Sequence, residues 1–287
     1  MAIRLELLKR YEECTYFNEL TRRIWGSGAD DDIPIHVLVT IAKNGGGVLV
    51  AYADDGPADL QGMIGMALWW LGTQTVPGLT QPQLKICSHM AGVLPQWQRL
   101  GVGVQLKLKQ REIVLAQGLT DWMTWTYDPL YRANGVFNVH RLGAVCNSYF
   151  RNVYGELNDD LNRGTPSDRC QVDWWLRSER AERAAQGQLP NGDSSWADLQ
   201  VQPSSVNHQG FRQPGEPTTT PVGMPLAIPI PDDIGLIRRH DQGLGHAWRM
   251  YIREQFEAAF AAGYTIVDCV NLPDQGWHYL LTIPKGA

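Results

Sequence analysis

Val93-Leu94-Pro95-Gln96-Trp97-Gln98-Arg99-Leu100-Gly101-Val102-Gly103-Val104 is the stretch from which the rest of the chain can be read. It joins an apolar run, Leu84 to Leu94, to a segment from Arg99 to Gln117 whose pattern is ambiguous. Leu100, Val102, Val104, Leu106 and Leu108 alternate with period two, as in a strand, yet Val104, Leu108 and Leu115 also suit a helix. Length decides for the helix, because Arg99 to Gln117 exceeds a typical strand and Gly118 supplies a stop. The whole therefore predicts strand end, short turn and helix start. First-turn helix amides have no internal acceptors, and the macrodipole adds partial positive charge, so such a turn is a natural cradle for a pyrophosphate. Its glycines would let the backbone approach a ligand closely, or would equally allow tight packing. The dinucleotide fingerprint G-x-G-x-x-G is not met, because Leu106 stands where the third glycine belongs.

Working outward toward the N-terminus, Ile3, Leu5 and Leu7 alternate like a first strand. Tyr11 to Trp25 and Pro34 to Lys43 have helical spacing, the second stopped by Asn44-Gly45-Gly46-Gly47. Val48 to Tyr52, Gln61 to Trp70 and Leu84 to Leu94 read as strands, joined by turns containing Asp54-Asp55-Gly56-Pro57 and Pro77-Gly78. Toward the C-terminus, Thr120 to Tyr127 is a strand with Met123, Trp125 and Tyr127 on one face. Asp128 then reads as an N-cap with Pro129 at the first helical position, and Leu130, Phe137 and Arg141 keep helical spacing up to Gly143. A strand from Ala144 to Phe150 follows, and Asp168-Arg169 with Asp173-Trp174-Trp175 belong to another. The fold class expected is α/β, an α+β mixed sheet.

Eight of the 17 prolines lie between Gln186 and Pro231, a stretch with little apolar periodicity. The expected organisation is thus a core over 1–180, a linker or wrap over 181–227, and a C-terminal unit over 228–287. In that last unit Trp248, Ile252, Phe256 and Phe260 form one helix face, and Tyr264 to Val270 with Trp277 to Ile283 form a hairpin. So small a unit needs the core, by extending its sheet or roofing its site.

Composition narrows the function. The chain has 287 residues, 44% of them hydrophobic, with eleven tryptophans, which suits a folded protein with a sizeable core. A formal charge of −5 argues against nucleic acid as partner. Five scattered cysteines with no C-x-x-C pair suggest reduced thiols and no structural zinc. Charges at Arg4, Arg10 and Glu13 interrupt any secretory apolar stretch, and no window reaches the length of a membrane span, so the expected location is cytoplasmic.

Gln98-Arg99-Leu100-Gly101-Val102-Gly103 resembles the Q/R-x-x-G-x-G/A signature of the GNAT superfamily of N-acetyltransferases, and the element order over residues 3 to 155 is similar to theirs. Asn134 to Gly143, Thr165-Pro166-Ser167-Asp168-Arg169, Trp248-Arg249 with Arg253, and Gly263-Tyr264 resemble a GNAT-like group with an extra C-terminal α/β unit. The resemblance implies an acyl-CoA N-acyltransferase that uses acetyl-CoA or another acyl-CoA as cosubstrate. It implies a small-molecule amine acceptor, an amino acid among the candidates, with direct transfer and no membrane partner; the chain could act as a homodimer. It further implies two central strands that part near Val93 and Tyr127, with pantetheine on the edge around Ala91 to Val93. The amides of Arg99, Leu100, Gly101, Val102, Gly103 and Val104, next to Gln98, would hold the pyrophosphate, and an N–H near Val93 would stabilise the oxyanion.

For the general base the candidate is His89, which strict alternation places on one face with Cys87, Ala91 and Val93. The alternative is a half-buried structural histidine. Cys87 as a covalent nucleophile competes with the commoner buried apolar thiol. The family's usual acid, a tyrosine in a pattern like Y-x-x-x-G-F, is replaced, since Val139-His140-Arg141-Leu142-Gly143-Ala144 puts valine at its position. Tyr127, Tyr131 or His140 could substitute, the thiolate could leave unaided, or the protein could be a non-catalytic CoA-binding scaffold. Asn134 and Asn138, four apart, could contact pantetheine or solvent. Arg169, Arg249 and Arg253 read as ion-pair partners, with recognition of an acceptor carboxylate as the alternative.

Overall fold

A computed structural model describes residues 2–26, 28–29, 32–76, 79–155, 166–188, 196, 198–219 and 222–284. The turn expected at Pro77-Gly78 lies outside them, as do parts of the 181–227 stretch. The chain forms two compact units, one on residues 2–125 and one on 126–155 with 166–284, and the division falls inside a strand.

In the first unit β1 (Ile3–Leu7) is followed by α1 (Tyr11–Cys14), α2 (Phe17–Trp25) and α3 (Ile35–Lys43). Then come β2 (Gly47–Ala53), β3 (Met63–Gln74), β4 (Gln83–Val93), α4 (Val102–Gln117) and the start of β5 (Trp122–Tyr127). The sheet order is β1-β2-β3-β4-β5. Neighbours run antiparallel except β4 and β5, which are parallel. β1 alternates in burial as its sequence does, whereas β2 and the first half of β3 are buried on both faces and read as near-continuous apolar runs. Trp69 is fully buried, and the backbone of β2 passes so close to it that a Cβ on Gly47 would lie 2.1 Å from its ring. Only glycine fits there.

The single helix expected over Tyr11 to Trp25 is instead two. Glu13 Oε2 accepts from the amides of Lys9 and Arg10 at 2.8 and 3.1 Å, which fixes the start of α1. The Thr15 hydroxyl then donates to the Glu12 carbonyl at 2.8 Å, a local bond that competes with continuation of the helix.

The second unit begins with Thr126 and Tyr127 of β5 and continues through α5 (Arg132–Gly135), which runs on as a π-helical segment, Val136–Arg141. β6 (Val145–Phe150), β7 (Arg169–Trp175) and α6 (Glu179–Ala185) follow. Next are β8 (Gln200–Val201), β9 (Ser204–Val206), β10 (Arg212–Pro214), β11 (Leu226–Pro229), α7 (Ile234–His240), α8 (Gln242–Ala261), β12 (Thr265–Leu272) and β13 (Gly276–Thr282). Its sheet runs β7-β6-β12-β13-β11-β8, beside a separate β9–β10 ribbon. The expected C-terminal helix and hairpin are α8 and β12–β13, and β12 extends the sheet by pairing with β6 at Ile266 and Cys146. Trp248, Ile252 and Phe256 of α8 are fully buried. Each such side chain contributes about 2 to 3 kcal/mol of burial.

Two local expectations are corrected here. The helix after β5 does not start at Pro129; Asp128 Oδ1 accepts from the Leu130 amide at 2.9 Å in a turn, and the helix begins at Arg132. The other Asp128 oxygen is taken by Arg249, a partner more than a hundred residues away that recruits the carboxylate from its capping role. The stretch expected as irregular wrap contributes β8 to β11, whose short, proline-bounded strands carry no period long enough to read.

Candidate functional site

The site candidates of the first unit gather where β4 leaves β5. Among the described residues these two strands pair at Ile86 with Met123 and at Cys87 with Thr124. On its other side β4 stays paired with β3 down to Val93 and Gly65, with one irregularity: Trp69 faces Ser88 but Leu68 faces Met90, so His89 is the extra residue of a β-bulge.

The bulge changes which way the strand faces. Ser88 reaches Lys107 and Gln110 of α4, and a Cβ on Gly65 would meet Leu106 of α4 and the Val93 side chain, so Ser88, Ala91 and Val93 face α4. Cys87, opposite Trp70, lies on the other face, where Gly92 closes against Ile24 and Trp25 of α2. The expectation that His89 shares one face with Cys87, Ala91 and Val93 therefore fails, because the inserted residue shifts the period-two phase. His89 is exposed, two residues beyond the last pair with β5, its ring 4.9 Å from that of Trp70. The protein around it lowers its pKa below the ordinary imidazole value, which favours the neutral, proton-accepting form near pH 7. Cys87 is half-buried and burial pushes its thiol up, away from a thiolate.

The end of β4 presents its backbone in an ordered way. The Leu94 amide donates to Ile64 O at 2.9 Å, so in an antiparallel ladder Gly92 and Leu94 bond toward β3 while the N–H and C=O of Ala91 and Val93 turn to the opposite edge. There the Gln98 side-chain amide donates to Val93 O at 3.0 Å. Gln98 thus braces the turn to the strand, a role that its place in the motif did not disclose.

Between strand and helix, Pro95–Trp97 make one 3-10 turn, anchored by the nearly buried Trp97. Arg99 has φ 63° and Gly101 φ 82°. A left-handed conformation costs a non-glycine residue about 1 to 3 kcal/mol, so the shape at Arg99 is imposed by its surroundings. The first α-helical bond of α4 runs from Gln105 N to Gly101 O at 3.0 Å. The amides of Val102, Gly103 and Val104 precede it and lack acceptors within the helix. Val102 buries its side chain, whereas Gln98, Arg99, Leu100 and Gly101 are exposed. A shallow, open groove adjoins the turn, lined by Asp55, Pro57, Gln96, Trp97 and Leu100.

The remaining candidates belong to the second unit. Tyr127 is buried and shares its surroundings with Tyr279, Cys170 and Cys146; burial holds its pKa well above the ordinary phenol value. Asn134 directs its amide to Asp128 O at 3.4 Å, and Asn138 is buried within the π-helical segment. The four-residue spacing that would place the two on one α-helical face does not hold through a π-helix. Val139, which the sequence resemblance aligns with the expected acid, is fully buried. The arginines form ion pairs: Arg253 is bidentate to Asp168 at 2.8 and 3.0 Å, and Arg249 donates to Asp128 at 2.5 Å. Among the described residues no three metal-binding side chains come together, and no helix is long and apolar enough to cross a membrane.

No protein-family model matches this chain, and no curated protein matches it either. Among solved structures it is similar to NAA60 of Arabidopsis thaliana in complex with a bisubstrate analogue, at 10% identity over 61% of this chain and 98% of that one, with a TM-score of 0.49. It is similar to Naa20 of Chaetomium thermophilum, also with a bisubstrate analogue, at 14% identity over 67% and 93%, with a TM-score of 0.44. It is similar as well to the ribosomal-protein-S18-alanine N-acetyltransferase of Escherichia coli, at 13% identity over 60% and 93%, with a TM-score of 0.42. The first unit thus combines a mixed sheet, two parallel strands that part beside a bulge, and a glycine turn into α4.

Proposed function

We propose that the protein is an acyl-CoA-dependent N-acyltransferase that transfers acetyl or a larger acyl group directly to the amine of a small molecule. The observation that carries this reading is the turn itself. Three helix N-terminal amides, Val102 to Val104, stand behind the two left-handed residues Arg99 and Gly101, at the end of a strand edge carrying the N–H and C=O of Ala91 and Val93. In this reading the amides and the helix dipole hold the cosubstrate pyrophosphate. Pantetheine amides extend the β4 edge as an added strand would. The Val93 N–H points to where a tetrahedral oxyanion would form.

His89 would accept the proton of the attacking amine, since it is exposed, favours its neutral form and sits where β4 parts from β5. As the new C–N bond forms, the C–S bond breaks and sulfur leaves as the thiolate of CoA. One observation favours a second reading, that of a CoA-binding module without catalysis: the usual acid position is the buried Val139.

Isothermal titration with acetyl-CoA, succinyl-CoA, CoA and NAD tests the site. Micromolar binding of CoA species, absent for NAD and lost in Gly101→Glu/Gly103→Glu with native circular dichroism, is the expected result. A folded wild type that binds no CoA species overturns both readings. Thiol release on addition of amines separates them, and His89→Gln should then lower kcat and remove the acid limb of its pH profile.

A further inference from the structure

The sheet of the first unit ends in an unpaired edge. β1 stands first in the strand order and pairs with β2 alone, in unbroken antiparallel register from Ile3 opposite Ala53 to Leu7 opposite Leu49. The Leu8 amide continues that ladder to Val48 O at 2.8 Å. Backbone groups alternate in direction along a strand, so Arg4 and Glu6 bond toward β2 as Leu8 does. The N–H and C=O of Ile3, Leu5 and Leu7 therefore turn outward, and among the described residues they have no hydrogen-bond partner. Proteins commonly blunt such an edge with proline, lysine or a bulge. Ile3-Arg4-Leu5-Glu6-Leu7 has none of the three, and its two charges cancel.

The side chains define what fits this edge. Ile3, Leu5 and Leu7 lie on one face and stay half-buried, whereas Arg4 and Glu6 lie on the other with side chains 60% and 50% exposed. Laid antiparallel to itself by a half-turn about Leu5, the strand sets Ile3 against Leu7 and Leu5 against Leu5, apolar on apolar. The same register sets Arg4 against Glu6 twice. The outward-turned residues fall opposite one another, so each of their pairs can exchange both N–H···O bonds. The Arg4–Glu6 pairs then occupy the positions without backbone bonds, where facing side chains approach most closely. A slip of two residues either way would instead place Arg4 against Arg4 or Glu6 against Glu6, and a slip of one would misalign the backbone groups. Backbone phase, apolar face and charge thus agree in a single register.

We infer that β1 is an interface for a second copy of this chain, the two β1 strands pairing antiparallel about a two-fold axis at Leu5. The two first-unit sheets become one across it, by the main-chain bonding with which an added strand extends a sheet. The contact is isologous and closed, since each copy spends the same edge on the other, so assembly through β1 stops at two chains. In the single chain Arg4 and Glu6 bond each other, and the Arg4 guanidinium lies 4.5 Å over the Tyr52 ring. Across the axis each gains a second opposite charge, which closes an alternating ring of four. The inference goes beyond the transferase reading and does not depend on it.

Sedimentation velocity of the full-length protein over a concentration series is the test. The unaltered chain should show a monomer–dimer equilibrium with no larger species. Arg4→Glu brings carboxylates face to face and Glu6→Arg brings guanidiniums face to face, so each variant alone, with native circular dichroism, should raise the dimer Kd about tenfold. Mixed in equal amounts, the two variants oppose unlike charges at both positions and should regain the dimer, as should the double variant Arg4→Glu/Glu6→Arg by itself. Recovery on mixing is a result that misfolding does not produce. Leu5→Pro removes an outward amide and no bond to β2, and should leave a folded monomer. A chain that stays monomeric throughout, a dimer unchanged in both single-charge variants, a mixture that fails to associate, or growth beyond two chains would overturn the assignment. A dimer of this behaviour in a protein that ignores CoA leaves it standing and removes only the transferase reading.

Discussion

Replacing Lys107 by methionine should change how the stability of the protein depends on pH. The Lys107 side chain is buried under β4, with Nζ 2.7 Å from Gln110 Oε1, 3.1 Å from Ser88 Oγ and 3.7 Å from the centroid of the Trp125 ring. Burial pushes its pKa well below the usual amine value. In the window between that lowered value and about 10.4, the unfolded chain therefore binds one proton more than the folded one, and stability rises with pH by about 1.4 kcal/mol per unit. From pH 8.5 to 9.5 this is about tenfold in the folded-to-unfolded ratio, or roughly 0.5 to 1.4 M in a urea midpoint. Buried thiols oppose it: Cys170 and Cys269 have raised pKa values, so the unfolded state ionises first and stability falls as pH rises. They do so equally in both proteins, and the difference between the curves isolates Lys107. The two oxygens that lose Lys107 each keep a donor, since Ser88 Oγ donates to Gln110 Oε1 at 3.4 Å and Gln110 Nε2 donates to Ser88 Oγ at 3.2 Å. Urea unfolding followed by tryptophan fluorescence at pH 7.5, 8.5 and 9.5 should show Lys107→Met more stable at pH 7.5, the gap closing at the stated slope. Parallel curves for the two proteins would refute the account of a desolvated ammonium.

Gly47→Ala should destabilise by about 3 kcal/mol, because its Cβ would lie 2.1 Å from the buried Trp69 ring; Gly118→Ala, in open space at φ 68°, should cost only about 1 kcal/mol, and differential scanning calorimetry separates the two. For Asp168, burial works to raise the pKa, but Arg253, the Asn152 amide and Tyr149 hold it below the ordinary carboxylate range. Its contribution is thus present above the unfolded pKa of about 3.9 and lost as pH falls through the folded value. Asp168→Asn should cost about 3 to 5 kcal/mol at pH 7 and show a shallower loss of near-ultraviolet circular dichroism between pH 4 and 2, whereas superimposable acid transitions would count against the pair.

Much of the first unit was legible because its signals are local. Apolar runs bounded by turn residues marked β2, β3 and β4, and the length of the segment before Gly118 separated helix from strand for α4. The hairpin β12–β13 and the apolar face of α8 were visible for the same reason. The phase of β4 beyond Ser88 was not, since a bulge is settled by how two strands fit and His89 has nothing in its neighbours to announce it. Nor was the π-helical segment Val136–Arg141, whose widened turn misplaced the relation between Asn134 and Asn138.

By itself, the sequence determined strands β1 to β4, helix α4 with the glycine turn before it, the apolar face of α8 and the β12–β13 hairpin, because these follow from turn residues and from the periods of helix and strand. Tertiary structure decided which face Ala91 and Val93 present, that Gln98 braces the turn against Val93, that Lys107 lies sealed beneath Ser88, and that Asp128 answers to arginines over a hundred positions away in the case of Arg249. Those outcomes depend on charge balance, desolvation and strand register across long sequence separations, and no local pattern encodes them.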